Sequence, residues 1–568
     1  MGDSATDAYR SIWPPKRPKT SERRLRTDLR EQLDRIDGRP YPAYRDLQGA
    51  WALGDRVLYI DRVQGDPYAS PSRVRIRTPT GLPRELTRDP ERRLAAEDWL
   101  LRRFGAQLHG SARGSGRSGR MEIYRPGPEV TERSALRLHP DGTAEARFAV
   151  GLPARGRRIL GRQAAQLLLE DVPRAAEALH VSDRDALDAH VSSVCRQRAL
   201  RRALRSQNLV AFIANGSILP RASGIDQRPL AGAVPFTSPP SLEVELDGVH
   251  GMGIPQGVTL LVGGGFHGKS TVLQALQRGH LDHIPDDGRE AVVTVPDTVK
   301  IRAEDGRKVT AVDISAFLNN LPGDKPTAPF DTDDASGSTS QAASLIEAVE
   351  SGGRFLLLDE DTSATNLLVR DARMRQLVPN ELEPITPLVE RVRELHRAHG
   401  ISTLLVIGGV GDYLGVADLV VAMNTYVPAD VTARAHTLAG SPPSSPHPFT
   451  PPASRVPQTR GLHPEKIRVR DGRAIGYGGG EIDLTAVEQV LDRAHAYTLA
   501  HALGFLCHEL VDGRRGLSQL LDALDAILDD EGVESLSPHA YPDGDLVRPR
   551  RHEIAATLNR LRTLSIKR

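Results

Sequence analysis

The sequence has few cysteines and no long apolar segment. Its two cysteines, Cys195 and Cys507, lie far apart, so they indicate neither a disulfide framework nor a cysteine-based metal site. No apolar run approaches the roughly 18 residues that a membrane-spanning helix needs, and residues 1–30 are polar, without the apolar core of a signal peptide. The cysteine usage fits a reducing cytosol. We therefore expect a soluble, cytoplasmic protein with no membrane partner.

The chain also has almost no net charge, but its charge is unevenly distributed. The total is +1 over 568 residues, yet residues 1–250 hold 42 Lys and Arg against 31 Asp and Glu, and residues 251–568 hold 32 against 42. A basic part beside an acidic part favours a polyanionic partner for the basic one. The alternative is that the two parts present complementary surfaces to each other.

A glycine-rich motif at residues 263–271 gives the strongest functional signal. It reads GGGFHGKST and fits G-x-x-x-x-G-K-[ST], between an apolar, β-branched run at 258–262 and a run typical of a helix at 272–276. Strand, loop and helix in this order are the context of a phosphate-binding P-loop. Backbone N–H groups and the helix N-terminus would hold phosphate oxygens, Lys269 would reach the β- and γ-phosphates, and Ser270 would ligate Mg²⁺. The predicted binding residues are Gly263, Gly264, Gly265, Gly268, Lys269, Ser270 and Thr271.

Two carboxylates follow a second buried strand. Residues 355–358 are Phe-Leu-Leu-Leu, and Asp359 and Glu360 come directly after them. In an open α/β sheet, ligands bind at the carboxyl ends of the strands. We expect Asp359 to hold Mg²⁺, directly or through water, and Glu360 to orient and deprotonate an attacking water. Glu360 and Lys269 are the predicted catalytic residues.

A further anion-binding pattern precedes that strand. Residues 335–341 read ASGSTSQ and open a predicted helix that runs to about Glu350. The N–H groups at a helix N-terminus point toward anions. This places Ser336, Gly337 and Ser338 among the predicted nucleotide-binding residues.

An arginine-rich loop lies in the basic part of the chain. Residues 113–120 read RGSGRSGR, and the segment from Trp99 to Met121 contains five arginines and no acidic residue. Arginine interleaved with Gly and Ser suits contacts to a phosphate backbone, where charge matters more than a fixed scaffold. Arg113, Arg117 and Arg120 are therefore candidate nucleic-acid contacts, and a solvated surface loop is the alternative.

Other patterns divide the chain into domains. We predict a disordered tail over residues 1–20, a helix over 21–37, and a strand with one basic face at 74–77. Residues 440–457 hold seven prolines and indicate a linker. The predicted domains are a basic α+β N-terminal domain at 1–155, an α/β nucleotide-binding domain at 156–440, the linker at 441–460, and a mostly helical C-terminal domain at 461–568.

The order of these motifs resembles an ABC-type ATPase, in which a signature helix leads into the strand that carries the carboxylates. Ser336 and Asp359 are 23 residues apart, as this arrangement requires. The chain is more similar still to one family, the predicted ATPases of the ABC class. The runs that carry this resemblance span nearly the whole chain: QGDPYASPSR (64–73), RGSGRSG (113–119), GVTLLVGGGFHGKST (257–271), KIRAEDGR (300–307), ASGSTSQAA (335–343), LLLDEDTSATN (356–366), EPITP (383–387), VIGGVGDYLGVAD (406–418) and EIAATLNRLR (553–562).

The resemblance implies a P-loop NTPase of the ABC-ATPase type, flanked by an N-terminal and a C-terminal domain. It also implies a homodimer, ATP with Mg²⁺, and contact with nucleic acid, RNA or other single strands in particular. No transport role goes with this family.

The sequence departs from general ABC enzymes at several positions. Only 67 residues separate Lys269 from Ser336, and the signature reads Ser-Gly-Ser instead of Ser-Gly-Gly. No glutamine stands where the Q-loop is expected, and Asn319 or Asn320 would be its substitute. No histidine lies between residues 401 and 426, so a switch histidine is missing. His267 and His283 are nearby but fit a loop-filling or surface role better, and Asn366 stands where the dimer-loop aspartate is usual.

Two functions remain open from the sequence. One is an ATP-hydrolysing dimer that grips nucleic acid with its basic N-terminal domain, which Glu360 favours. The other is an ATP-gated binding module with little turnover, which the missing histidine favours. A kinase or transferase is the weaker hypothesis, because no acceptor site stands out.

Overall fold

The computed structural model describes residues 25–321, 323, 325–370, 377, 383–440, 449–462 and 467–567. The tail predicted at residues 1–20, and residues 441–448 of the predicted linker, lie outside this part of the chain. The chain divides into two compact units. Unit 1 comprises Met1–Cys195 with Glu531–Arg548, and unit 2 comprises Arg196–Asp530 with Pro549–Arg568.

Unit 1 is built on a seven-stranded, mostly antiparallel sheet. Its strand order is β1-β2-β3-β4-β8-β5, and β7 pairs with β8. These strands are β1 (Leu25–Arg26), β2 (Gly49–Leu53), β3 (Arg56–Arg62), β4 (Ser72–Pro79), β5 (Met121–Glu122), β7 (Leu136–Leu138) and β8 (Thr143–Val150). Three short strands complete the set: β6 (Glu129–Val130), β9 (Ala154–Arg155) and β10 (Arg158–Ile159), of which β9 and β10 form a hairpin.

The helix predicted at residues 21–37 is shorter than expected. Residues 21–24 of that prediction lie outside the described part of the chain. Leu25 and Arg26 pair with β2 in a parallel ladder, and the helix begins only at Leu29. The buried residues of this helix are Leu29, Leu33 and Ile36, as the periodicity predicts. The helices that begin in unit 1 are α1 (Leu29–Ile36), α2 (Arg84–Arg88), α3 (Pro90–Gln107), α4 (Gly161–Gln166), α5 (Val172–Ala176) and α6 (Arg184–Ser206).

Unit 2 contains a six-stranded sheet that is parallel except at one edge. Its order is β17-β20-β21-β14-β22-β23, and only β23 runs antiparallel to its neighbour. The strands are β14 (Val258–Val262), β17 (Thr298–Ile301), β20 (Phe355–Asp359), β21 (Ser402–Ile407), β22 (Leu419–Asn424) and β23 (Val427–Asp430). Their apolar runs are continuous because both faces are covered.

Helices on the two faces of this sheet create two apolar cores. Leu261 and Leu357 pack with Val272 and Leu276 of helix α7 (Lys269–Arg278) on one face. Residues of the opposite parity, such as Leu260 and Leu358, pack with helix α8 (Gly337–Glu350) on the other. This alternation decides which side chains of each strand share a face with the P-loop helix.

Smaller elements surround this sheet within unit 2. A four-stranded antiparallel sheet has the order β12-β13-β11-β16, and a three-stranded sheet near the C-terminus has the order β24-β25-β26. The remaining strands are β11 (Leu209–Ala214), β12 (Glu243–Leu246), β13 (Val249–Pro255), β15 (Asp282–His283), β16 (Val292–Thr294), β18 (Val309–Val312), β19 (Phe330–Thr332), β24 (Ile467–Val469), β25 (Ala474–Tyr477) and β26 (Gly480–Asp483). The remaining helices are α9 (Thr365–Leu368), α10 (Val392–His399), α11 (Thr432–Leu438), α12 (Arg493–Phe505), α13 (Leu517–Glu531, which ends at the border of the units) and α14 (Arg551–Asn559). The C-terminal region is thus largely helical, and the sequence did not indicate its small sheet.

Candidate nucleotide site

The loop between β14 and α7 takes the conformation of a phosphate-binding loop. Gly263 has φ 135° and Gly268 has φ 98°, both in the region that favours glycine. A Cβ at Gly263 would overlap the carbonyl oxygen of Met423, and one at Gly268 would lie 2.8 Å from the ring of Tyr426. Gly265, in contrast, has no neighbour within 4 Å of its Cβ direction. The loop is therefore fixed at both ends and open in its middle.

Lys269 is the first residue of α7, and its ammonium group folds back over the loop. Nζ donates to the carbonyl oxygens of Gly263 and Gly264, both at 2.7 Å. Ser270 and Thr271 follow in the first helical turn, where N–H groups have no partner inside the helix and the helix dipole is positive. Lys269 thus lies against the start of the loop, and Ser270 and Thr271 lie at the N-terminus of α7.

Asp359 and Glu360 stand at the same edge of the sheet as the P-loop. In the sheet, Asp359 of β20 pairs with Val406 of β21, and Val262 of β14 pairs with Ile407 of the same strand. The ends of β20 and β14 therefore flank β21, about 10 Å apart by the usual strand spacing. Asp359 is 8% exposed and accepts from the N–H of Asp361 at 3.3 Å.

The carboxylate of Glu360 is bound by main-chain donors. Glu360 opens a 3₁₀ turn that ends at Thr362, and its Oε2 accepts from the N–H of Gly408 at 2.6 Å and of Gly409 at 3.1 Å. Both glycines follow β21 directly. Sequence reasoning looked for a histidine side chain after this strand and did not consider its backbone.

A basic residue of β17, Lys300, faces the same side of the sheet as Asp359. Lys300 pairs with Leu357, which precedes Asp359 on the same face by two residues, and Arg302 follows at the end of the strand. Lys300 is 8% exposed, and burial lowers the pKa of its ammonium group against the opposing effects of Glu488 and Asp359. The run KIR alternates in the sequence, which was a usable signal, but its position beside Asp359 depends on the strand order.

The signature residues cap α8. The Ser336 hydroxyl accepts from the N–H of Thr339 at 3.5 Å and lies 3.3 Å from the hydroxyl of Ser338. A Cβ on Gly337 would lie closest to Asp305, Ala303 and Ala364. These neighbours differ from those of the P-loop, which come from the β22–β23 region. The structure thus brings the P-loop, Asp359 and Glu360 together at the carboxyl-end edge of the sheet. Ser336, Gly337 and Ser338 lie at the N-terminus of α8, where the neighbours of Gly337 are Asp305, Ala303 and Ala364.

Gln341 connects the signature helix with the segment that follows Glu360. It is fully buried, its amide donates to the hydroxyl of Ser363 at 2.9 Å, and its carbonyl accepts from the N–H of Ala364 at 2.7 Å. A shift of α8 would therefore act on this segment. Asn366, the residue noted in place of the dimer-loop aspartate, is exposed in α9.

The suggested substitutes for the Q-loop and the switch histidine have local partners. The amide of Asn319 donates to the carbonyl of Ser315 at 2.6 Å, and Asn320 has φ 53°. His267 Nδ1 accepts from the N–H of Thr425 at 2.8 Å, which fits a loop-filling role. His283 is buried and lies 2.7 Å from Asp287. The strand beside β20 is β17, and the segment that follows it begins at Arg302 and includes Glu304 and Asp305.

The arginine-rich loop of unit 1 is held by close backbone packing. Gly116 and Gly119 have positive φ, and a Cβ on them would overlap the carbonyl oxygens of Pro67 and Ala112. The N–H of Arg117 donates to Pro67 at 2.8 Å, and that of Ser115 to Ala154 of β9 at 2.7 Å. The glycines of this loop thus allow close backbone approach, and they fix the segment that carries the three arginines.

Arg113 and Arg120 are exposed and Arg117 is half-buried. Tyr68, 63% exposed, lies beside Gly116. The β9–β10 hairpin adds three exposed arginines, Arg155, Arg157 and Arg158. Sequence reasoning missed this hairpin, although the run ARGRR was a visible signal.

The basic face predicted for β4 is neutralised within unit 1. Arg75 binds Asp61 and Glu145, both at 2.6 Å, Arg73 binds Asp545 at 2.6 Å, and Arg77 binds Asp141 at 2.5 Å. Part of the positive charge of residues 1–250 is therefore balanced inside the unit.

Family models match the chain along most of its length. Residues 26–182 match a model described as the N-terminal part of ATPases of the ABC class, and residues 183–453 match the P-loop domain of ABC ATPases. Residues 466–567 match a model described as the MRB1590 C-terminal domain. The chain belongs to the ABC-class ATPases, and the predicted fold class is confirmed.

Individual proteins are similar over shorter stretches. An uncharacterized protein of Methanocaldococcus jannaschii, MJ1628, is 32% identical over 246 residues, which are 40% of this chain and 53% of that protein. The chain thus spans about half the length of this curated relative. A solved structure of MJ1267, an ATP-binding cassette of an ABC transporter, in its ADP conformation, is 12% identical with a TM-score of 0.25 and covers 40% of this chain and 94% of the cassette. A second structure of MJ1267 has a TM-score of 0.24 and covers 39% and 90%.

Two further features are absent from the described part of the chain. Among the residues that the structure describes, no helix is both long and apolar enough to cross a membrane. In the same residues, no group of three or more His, Cys, Asp or Glu side chains is arranged so that it could hold a metal ion.

Proposed function

We propose that this protein binds MgATP and hydrolyses it to ADP and inorganic phosphate. The observation that carries the proposal is the placement of Lys269, Asp359 and Glu360 around one sheet edge, with β21 between the two strand ends. P-loop enzymes use this arrangement to fix the phosphate chain and to position a water. In the reaction, the water oxygen bonds to the γ-phosphorus, the bond to the bridging oxygen breaks, and Glu360 takes the water proton.

The donor set fits Mg²⁺. Ser270 offers a hydroxyl in the first turn of α7, and Asp359 offers a carboxylate at the end of β20, and hard cations prefer such oxygen ligands. The bound ion would neutralise charge on the β- and γ-phosphates. Lys300, whose side chain is on the same sheet face, adds positive charge beside Asp359.

We further propose that two copies share each site. Ser336 and Gly337 begin a helix whose neighbours in the same chain are Asp305, Ala303 and Ala364, while the P-loop lies against Met423 and Tyr426. In a homodimer of the ABC type, the N-terminus of α8 would cap the γ-phosphate bound by the other copy.

Mixed dimers test the shared site. A Lys269→Ala chain and a Ser336→Arg chain are each expected to be inactive, and a heterodimer of the two would retain one intact composite site. We expect ATPase activity to reappear on mixing, at up to half of the wild-type level per heterodimer. Inactivity in a mixture that is shown to contain heterodimers would contradict a shared site.

The proposed partner is single-stranded nucleic acid, RNA in the first place. The loop that carries Arg113, Arg117 and Arg120 contacts the β9–β10 hairpin through Ser115, and exposed Tyr68 lies beside Gly116 of the same loop. A basic surface with an aromatic side chain suits a single strand, because charge follows the backbone and the ring stacks on a base. A cytoplasmic location remains part of this proposal.

One experiment addresses the coupling of the two activities. ATP hydrolysis by the purified protein is measured alone and with single-stranded RNA, single-stranded DNA or duplex. We expect turnover that single strands stimulate. If ATP binds but no condition gives turnover, the second candidate, an ATP-gated binding module, is supported. The absence of histidine between residues 401 and 426 favours that candidate.

A further inference from the structure

The carboxylate of Glu360, which follows β20, is bound by main-chain donors that follow a different strand, β21. The N–H groups of Gly408 and Gly409 converge on Oε2, at 2.6 and 3.1 Å. Neither bond uses Oε1. A carboxylate fixed in this way has a defined orientation while its second oxygen can accept a proton.

The position of the two glycines links both halves of the site. They follow Ile407 of β21, which pairs with Val262 at the start of the P-loop, and Val406, which pairs with Asp359. Their N–H groups therefore emerge between the P-loop and the carboxylates. A side chain is not needed for this contact, so the missing histidine leaves no gap in the support of Glu360.

We propose that the Gly408–Gly409 main chain is the positioning element for Glu360, and that its two N–H groups aim the carboxylate at the water that attacks the γ-phosphate. The inference rests on the proposed ATP hydrolysis. It assigns to backbone donors the role that a side chain after this strand would otherwise have. A turn that merely terminates the strand would show the same bonds but would not affect turnover.

Proline at position 408 removes one of the two donors. Ile407 is in a β-strand, a conformation that the residue before proline prefers, and a Cβ at Gly408 would lie 3.7 Å from Glu360 Oε2, an ordinary contact. We expect Gly408→Pro to lower kcat about 10- to 100-fold, the usual effect of a misplaced group, with unchanged ATP affinity. Gly408→Ala keeps the N–H group and should retain far more turnover than the proline variant.

The same loop offers a matched control. Gly411 is the first residue of a 3₁₀ helix and follows Val410, whose φ and ψ are −104° and 107°, so proline fits there without loss of a needed donor. Gly411→Pro should leave kcat close to wild type. Equal turnover in the Gly408→Pro and Gly411→Pro variants would overturn the proposal.

A measurement without catalysis covers the case in which Gly408→Pro does not fold. Millisecond hydrogen exchange at Gly408 and Gly409 is compared in wild type, Glu360→Gln and Glu360→Ala. Loss of the acceptor should speed exchange about fivefold or more in Glu360→Ala, with Glu360→Gln between the two. Equal exchange in wild type and Glu360→Ala would show that the bonds do not persist in solution and would refute the inference.

The two failures can be told apart. If wild type hydrolyses no ATP, the proposed function fails whatever the exchange rates are. If wild type hydrolyses ATP and the Gly408→Pro variant does so equally well, only the role of the glycines fails.

Discussion

The P-loop and the arginine-rich loop both depend on glycine, but their glycines have different tasks. In the P-loop, Gly263 and Gly268 anchor the ends, while Gly265 is open and Phe266 is fully exposed with φ 62°. In the arginine-rich loop, a neighbouring carbonyl oxygen occupies the space that a Cβ atom would need at Gly114, Gly116 and Gly119. The first loop keeps its main chain available to a ligand, and the second uses its main chain for internal packing.

This difference indicates which groups of each loop would bind a partner. Backbone N–H groups and one lysine form the phosphate cradle, so a single substitution there removes a large part of the binding energy. In the other loop the arginine side chains would make the contacts, and each would contribute a modest, salt-dependent increment to the binding free energy. The two regions should therefore respond to mutation on different scales.

The largest effect is expected from Glu360→Gln. The substitution keeps the shape of the side chain and removes the base, so turnover should fall about 10²- to 10⁴-fold. ATP should still bind, and the dimer should accumulate when ATP is present. Steady-state ATPase assays and sedimentation with ATP measure both. Hydrolysis at the wild-type rate would exclude Glu360 as the base and make Asp361 the next residue to test.

Lys269→Ala should weaken ATP binding about 100-fold, because charge-assisted bonds to the phosphates are lost. Titration with a fluorescent ATP analogue gives the dissociation constant. Lys308→Ala is the matched control, since Lys308 pairs with Asp333 at 2.8 Å and should bind ATP normally. Ser270→Ala should chiefly reduce the dependence on Mg²⁺. Unchanged affinity in Lys269→Ala would contradict the P-loop assignment.

Local patterns predicted much of the nucleotide site. The P-loop, the strand before Asp359 and the helix that begins after Ser336 are each specified by neighbouring residues, and the structure has all three at the expected positions. The contact between Glu360 and Gly408 joins residues 48 positions apart. Contacts between such distant residues depend on the order of the strands in the sheet. The hydrophobic periodicity within one segment gives no information on that order.

The same limit applies in unit 1. The leucine spacing from residue 25 predicted a longer helix, but pairing with β2 holds Leu25 and Arg26 extended. Residues 113–120 are fixed by contacts with Pro67 and Ala154, which their own Gly and Ser content does not indicate. Both features depend on pairing with distant residues.

The smallest expected effect concerns the arginine-rich loop and decides whether it binds nucleic acid at all. Replacing Arg113, Arg117 and Arg120 with serine should weaken binding of single-stranded RNA regardless of sequence. It should also reduce the magnitude of the slope of log affinity against log salt concentration by about 2, since each phosphate contact to a single strand contributes about 0.7 to that slope. ATP binding should persist. The measurement is a salt titration of fluorescent RNA, with and without ATP.

A control of equal charge sharpens this last test. Arg84, Arg88 and Arg92 are exposed on α2 and α3, so their replacement by serine removes the same three charges from a helical surface. If both triple variants lose affinity equally, long-range charge explains the effect and the loop has no special role.

If wild type binds no nucleic acid at low salt, the positive charge of residues 1–250 is better explained by internal compensation, of which the pairs of Arg75 with Asp61 and Glu145 are the example. If only the Arg113, Arg117 and Arg120 variant loses affinity, and its salt slope is flatter, the contact belongs to the loop. If a Tyr68→Ala variant then binds more weakly with an unchanged slope, Tyr68 contributes base stacking to that contact.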